Sequence, residues 1–133
     1  MKYEDNFLKP RPSEDIAHHD KEEMEKTGLS YVLLDNKHFS GADLRITTRR
    51  ISNVPENADS YVELHTHDVD QVFVFLSGPK GTDPLSIEFV FEDETYSVES
   101  PVTVFVPKGV PHSQRVVSGS GRLVTLLKKG EYP

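Results

Sequence analysis

Residues 61–78, YVELHTHDVDQVFVFLSG, together with residues 107–112, PKGVPH, decide how this chain is read. The first stretch sets two histidines two positions apart, then Gln71 at the head of a second apolar run. Residues of equal parity share one face of a strand. His65 and His67 are therefore expected to point one way, as are Gln71, Phe73 and Phe75 beyond the Asp68-Val69-Asp70 turn. The second stretch brings His112 from far along the chain. Three imidazoles and an amide carbonyl so placed have the layout of a metal site.

Outward from these stretches the signal is strand after strand. LSYVLL, ADLRITTRRIS, SYVELHTH, QVFVFLSG, PLSIEFVFE, ETYSVES, VTVFVP, HSQRVV and GRLVTLLKK are short, rich in Val, Ile, Thr, Tyr and Phe, and parted by Gly, Pro, Asn and Asp turns. No helical period intervenes between 29 and 128, which predicts an all-β antiparallel sandwich or barrel over 29–128. Before it, residues 1–28 read as an N-terminal arm and a short helix near 14–26, with Ser13 as N-cap and Gly28 as the stop. His18 and His19 fall on that helix about 100° apart, poorly placed to share an ion. After the barrel, 129–133 reads as a loose C-terminal tail.

Composition narrows the chemistry. A single domain of 133 residues can bury a core without staples. With no cysteine, thiolate ligands and disulfides are excluded, so a metal must be held by nitrogen and oxygen. Residues 1–15 show no apolar signal region and no run of about 18 apolar residues occurs. The expectation is a cytoplasmic protein with no membrane partner. The balance of 15 Lys+Arg against 22 Asp+Glu, a net charge of −7, argues against a nucleic-acid partner.

As motifs the two stretches are His65-x-His67-x3-Gln71-x6-Gly78 and Pro107-x-Gly109-x2-His112. In this order, within an all-β chain, they closely resemble the cupin superfamily, RmlC-like double-stranded β-helix (jelly-roll) barrels whose two motifs meet inside and bind one divalent metal. The resemblance spans roughly residues 40–127 and implies metal-ligand roles for His65, His67, Gln71 and His112. Three positions depart from the family pattern: Gln71 replaces the usual glutamate, Pro101 the usual glycine and Val116 the usual asparagine.

Imidazole nitrogens suit one divalent transition metal such as Fe(II), Ni or Zn. Gln71 adds no charge where a glutamate would add −1, so the ion keeps its full charge and should favour an anionic, chelating substrate. The loss of the carboxylate also weakens retention of hard ions. Two alternatives stand beside this: a hydrogen-bonded histidine cluster in a barrel that has lost its metal, and Asp70 as fourth ligand by way of a bulge. Parity adds a wall around the site. Tyr61 and Glu63 share the face of the two histidines, Gln114 that of His112, and Phe73 and Phe75 form an apolar side. Glu63 is a candidate general acid or base, or else solvated, with Tyr61 and Gln114 as further candidate catalytic groups. Arg45 and Arg49 share a face and would form a fork for an anionic substrate, or instead keep an edge strand soluble. His38 reads as a lone loop histidine.

Two functions follow. One is a mononuclear metal-dependent enzyme acting on a small anionic or enolisable molecule. Among cupins that covers dioxygenases, isomerases, decarboxylases and lyases, with dioxygenase placed first because three-histidine oxygenase cupins have a similar neutral ligand set. The other is a non-catalytic module binding a sugar, an organic acid or a metal. The runs VFVFL and IEFVF carry apolar residues on both faces, which predicts a homodimer with the arm crossing to the neighbour.

Overall fold

Alternation places the strands almost where the apolar runs predict them. The structure, a computed structural model, describes residues 2–13, 29–54 and 63–132. A turn of 3-10 helix, Glu4–Asn6, precedes β1 (Arg11–Pro12), β2 (Ser30–Leu34), β3 (Arg45–Ile51), β4 (Gln71–Ser77), β5 (Ser86–Phe91), β6 (Glu94–Glu99), β7 (Val102–Val106), β8 (His112–Ser118) and β9 (Gly121–Leu127). Two antiparallel sheets result, in the orders β1-β2-β3-β9-β4-β7 and β6-β5-β8. Among the described residues, no helix is long and apolar enough to cross a membrane.

The core lies between the sheets. On β4, Gln71, Phe73 and Phe75 are buried while Val72 and Val74 are half-buried, the alternation expected of a strand with one face inward. Phe73, Phe75, Ile87, Phe89, Val116 and Leu123 fill the middle, each large apolar side chain stabilising the fold by roughly 1.5–3 kcal/mol through removal from water. Register then sets the depth of every inward residue. Arg45, Leu127, Gln71 and Val106 form one rung across β3, β9, β4 and β7. Arg49, Leu123, Phe75 and Val102 form another, four residues deeper.

Several expectations need correction. β3 is no edge strand, since β2 and β9 flank it, and Arg45 and Arg49 are buried at 1% and 3% exposure. The arm forms strand β1, which pairs with β2 and sets Arg11 on Asp35. The tail is docked, because the Asn36 N–H donates to the Gly130 carbonyl at 2.7 Å and Gly130 is buried. SYVELHTH is no full strand among the described residues; it contributes one isolated bridge, at His65. The helix expected near 14–26, with His18 and His19, lies outside the described residues, as does Tyr61.

Candidate metal centre

Backbone pairing assembles the centre. His65 and His112 form an antiparallel bridge, with N–H···O=C bonds of 3.1 and 2.9 Å in the two directions. The Gly109 N–H donates to the His67 carbonyl at 2.7 Å, tying the PKG turn to the first motif. Gly109 has φ +79, a left-handed conformation that glycine adopts without penalty. Gln71 opens β4 beside them.

Two of the three rings are oriented by a hydrogen bond on the far side. The His65 Nδ1–H donates to the Glu63 carbonyl and the His112 Nδ1–H to the Val110 carbonyl at 2.9 Å. These bonds fix the tautomers and leave both Nε2 lone pairs aimed inward. There His65 Nε2 stands 3.1 Å from His67 Nε2, and His112 Nε2 stands 3.0 Å from Gln71 Oε1. One ligand nitrogen from each of His65, His67 and His112 lies within 4.8 Å of the others. The 3.1 Å spacing falls between the about 3.0 Å of an octahedral pair and the about 3.4 Å of a tetrahedral pair of nitrogens on one ion with bonds of about 2.1 Å. Burial holds the His112 imidazole below its usual pKa, against the Val110 carbonyl, which raises it, while His65 nearby lowers it further. With its Nδ1 proton on the Val110 carbonyl, His112 turns a lone pair toward the Gln71 carbonyl oxygen, and these two acceptors have no proton between them. A divalent cation fits this donor set.

Asp70 serves elsewhere. Its Oδ1 accepts the Lys108 N–H at 3.0 Å and its backbone carbonyl accepts the Lys128 N–H at 3.2 Å, so it fastens two loops while Gln71 meets the histidines. Glu63 is exposed, in keeping with the solvated alternative, and it brings to the site its backbone carbonyl. Gln114 is buried, opposite Phe89 across β5 and β8. The apolar wall holds Phe73, whose ring is 6.1 Å from that of His112, and also Phe89, which stacks on His112 at 6.5 Å and meets Phe73 at 5.4 Å. Phe75 is fully buried one step deeper, in the core. The arginines separate by depth: Arg45 shares the rung of Gln71, while Arg49 shares that of Phe75.

Two neighbours escaped the sequence. Tyr132, in the tail, sets its ring 5.4 Å from His67 at an edge-on angle, with the Arg45 guanidinium 5.6 Å over it. Asp35, 1% exposed, joins Arg11 at 2.6 Å and Arg45 at 3.6 Å and accepts the His38 and Lys37 N–H groups. His38 is no lone histidine, for it also contacts Arg11 at 3.0 Å and the Lys9 carbonyl at 2.9 Å. Parity could have nominated Phe89, on the same face as Ile87; nothing local marks Tyr132.

No family sequence model matches the chain, and no curated protein sequence does. Solved structures do, among them three that are 14–20% identical. An RmlC-like cupin from Shewanella frigidimarina is 16% identical with a TM-score of 0.56, over 95% of this chain and 86% of that one. The polyketide cyclase RemF from Streptomyces resistomycificus is 20% identical with a TM-score of 0.59, over 96% and 78%. An oxalate decarboxylase variant from Bacillus subtilis is 14% identical with a TM-score of 0.58, over 96% of this chain and 29% of that one. Two antiparallel sheets closing around a histidine triad, and these structural matches, give the chain the double-stranded β-helix fold of the cupin superfamily.

Proposed function

We propose that the chain is a mononuclear metal-dependent enzyme acting on a small anionic or enolisable substrate, with dioxygenase chemistry as the leading class and isomerase, decarboxylase or lyase chemistry behind it. The observation that carries this is the neutral donor set, in which His65, His67, His112 and Gln71 converge and add no negative charge. Bound there, Fe(II), Ni or Zn would supply Lewis-acid polarisation of a carbonyl or, with iron, dioxygen activation. The chain's own residues do the rest. Phe73 and Phe89 exclude water on one side, Gln114 offers an amide beside them, and Arg45 puts a cation at the depth of Gln71. Oxalate, in the name of one neighbour, is a small chelating dianion of the kind such a site would take.

The test is metal analysis of protein purified without an affinity metal, then oxygen consumption with Fe(II) restored over 1,3-dicarbonyls, hydroxy acids and thiols. About one metal per chain and consumption of one substrate class are expected. Binding without turnover would favour a second reading, a non-catalytic module for an organic acid, sugar or metal. The close burial of all four donors, none more than 9% exposed, favours that reading to this extent. Phe105 on β7 and Leu76 on β4 are exposed at 56% and 41%, which is consistent with the proposed homodimer; sedimentation as a monomer at micromolar concentration would refute it.

A further inference from the structure

At the other end of the barrel, two arginines face each other across β3 and β9. Arg50 and Arg122 are direct cross-strand partners, so both side chains leave the same, outer face of the six-stranded sheet. Like charges placed directly opposite destabilise a sheet, and in a chain of net charge −7 acidic partners are plentiful. Among the described residues neither arginine has taken one. Among the described residues the Arg50 guanidinium has no side-chain partner, and Arg122 donates to the neutral Thr48 hydroxyl at 3.2 Å. Both are exposed.

Space and donors surround them. A cleft of about 680 Å³ is lined by Arg50 and Arg122 with the hydroxyl-bearing Ser52, Ser77, Thr82 and Ser120, and no described acidic residue lines it. A second cleft, of about 360 Å³, shares Arg50, Ser52 and Arg122 and runs on past Leu29 and Tyr31. Gly78 closes the floor of the larger cleft. A Cβ there would lie 2.7 Å from Thr82 Oγ1 and 2.8 Å from Ser120 Oγ, so these two hydroxyls draw together only over a glycine. Thr82 donates to the Pro79 carbonyl at 2.6 Å, Ser77 ends β4, and Ser120 immediately precedes β9.

We propose that this cleft is a binding site for the phosphoryl group of a small molecule, gripped between the Arg50 and Arg122 guanidiniums. The oxygens of a phosphoryl group are acceptors, which two donor forks and the Ser52 and Ser120 hydroxyls match, and its charge removes the repulsion between the arginines. The site is separate from the metal centre. Ser77, Gly121 and Ile51 share a rung six residues along the strands from the rung of Gln71, Leu127 and Arg45, or roughly 20 Å at the rise of a strand.

Calorimetric titration of the full chain with inorganic phosphate at constant ionic strength tests it. Saturable binding at one site per chain is expected. The double variant Arg50→Gln, Arg122→Gln should weaken it by about tenfold or more, the loss expected when charged hydrogen bonds are removed. The variant His65→Ala, His112→Ala should bind phosphate unchanged, which separates this site from anion capture at the metal centre. Relief of the cross-strand repulsion should also raise the midpoint of thermal unfolding of Arg122→Gln above that of the parent in phosphate-free buffer, a readout that needs no ligand. Unaltered phosphate affinity in the arginine double variant, absence of saturable binding by the parent, or equally tight binding of citrate would each overturn the assignment.

Discussion

His65 and His112 exchange backbone hydrogen bonds with each other while their Nε2 atoms turn toward a common point. The two motifs are thus locked by main chain, and the side chains are oriented by further main-chain carbonyls, those of Glu63 and Val110. A site tied by main chain in this way keeps the ordering cost of binding low.

It follows that removing the imidazoles should remove the metal and leave the fold. His65→Ala with His112→Ala keeps the bridge, since both of its bonds are main chain. Metal content by mass spectrometry should fall from about one per chain to none, with unchanged far-ultraviolet circular dichroism. Full occupancy in the double variant would refute the site.

Gln71 should control which ion is held. Its Oε1 is 3.0 Å from His112 Nε2, so Gln71→Glu puts a negative charge at the same place. Competition experiments should show a shift toward the harder Mn(II), and anion affinity should fall because the ion's charge is partly cancelled. Unchanged metal preference and unchanged anion affinity would refute the charge argument while leaving the triad intact.

Phe89 joins the core to the site. Its ring is 1% exposed, edge-on to Phe73 and stacked on His112. Phe89→Ala should cost about 3–5 kcal/mol in urea unfolding through the cavity it leaves. Metal affinity should fall as well, because His112 loses its stacking wall.

How much of this the sequence carried depends on the range of the interaction. Phe73, Phe75, Gln71 and the histidines announce themselves by period-2 alternation and motif spacing, both local properties. Arg45 and Arg49 were legible as sharing a face, yet their burial was not, because a strand's place in the sheet is decided by long-range pairing, here between β3 and β9. Parity left Glu63 open for a related reason: it holds within a strand, and around His65 the described chain makes one bridge. Tyr132 reaches His67, and Asp35 reaches Arg45, through loops, where spacing carries no face.

The docked tail gives a test of that long-range part. Gly130 lies against the Ala42 carbonyl so closely that a Cβ would stand 2.2 Å from it. Gly130→Ala should therefore undock residues 130–132 and withdraw the Tyr132 ring from His67. Proteolysis at the C-terminus should accelerate, and the fluorescence of Tyr132, isolated by comparison with Tyr132→Phe, should change. A tail equally protected in Gly130→Ala would show that the packing against Ala42 does not hold it.

The last consequence is acid sensitivity at the Asp35 hub. The Arg11 guanidinium, hydrogen-bonded at 2.6 Å, is the largest influence; it holds the Asp35 carboxyl well below the usual carboxylate range, against burial, with the His38 and Lys37 N–H groups pulling the same way. The folded chain therefore binds this proton less readily than the unfolded chain, whose aspartates titrate near about 3.9. The stabilisation is complete above that value and is lost as the pH falls below it toward the depressed folded value. Asp35→Asn removes the titrating group. The urea midpoint of the parent should drop more between about pH 6 and about pH 3 than that of Asp35→Asn, which starts lower but changes less. Other carboxylates titrate in both proteins and cancel in the comparison. Parallel declines in the two would mean that the contact joining Arg11, Asp35 and Arg45 contributes nothing to acid stability.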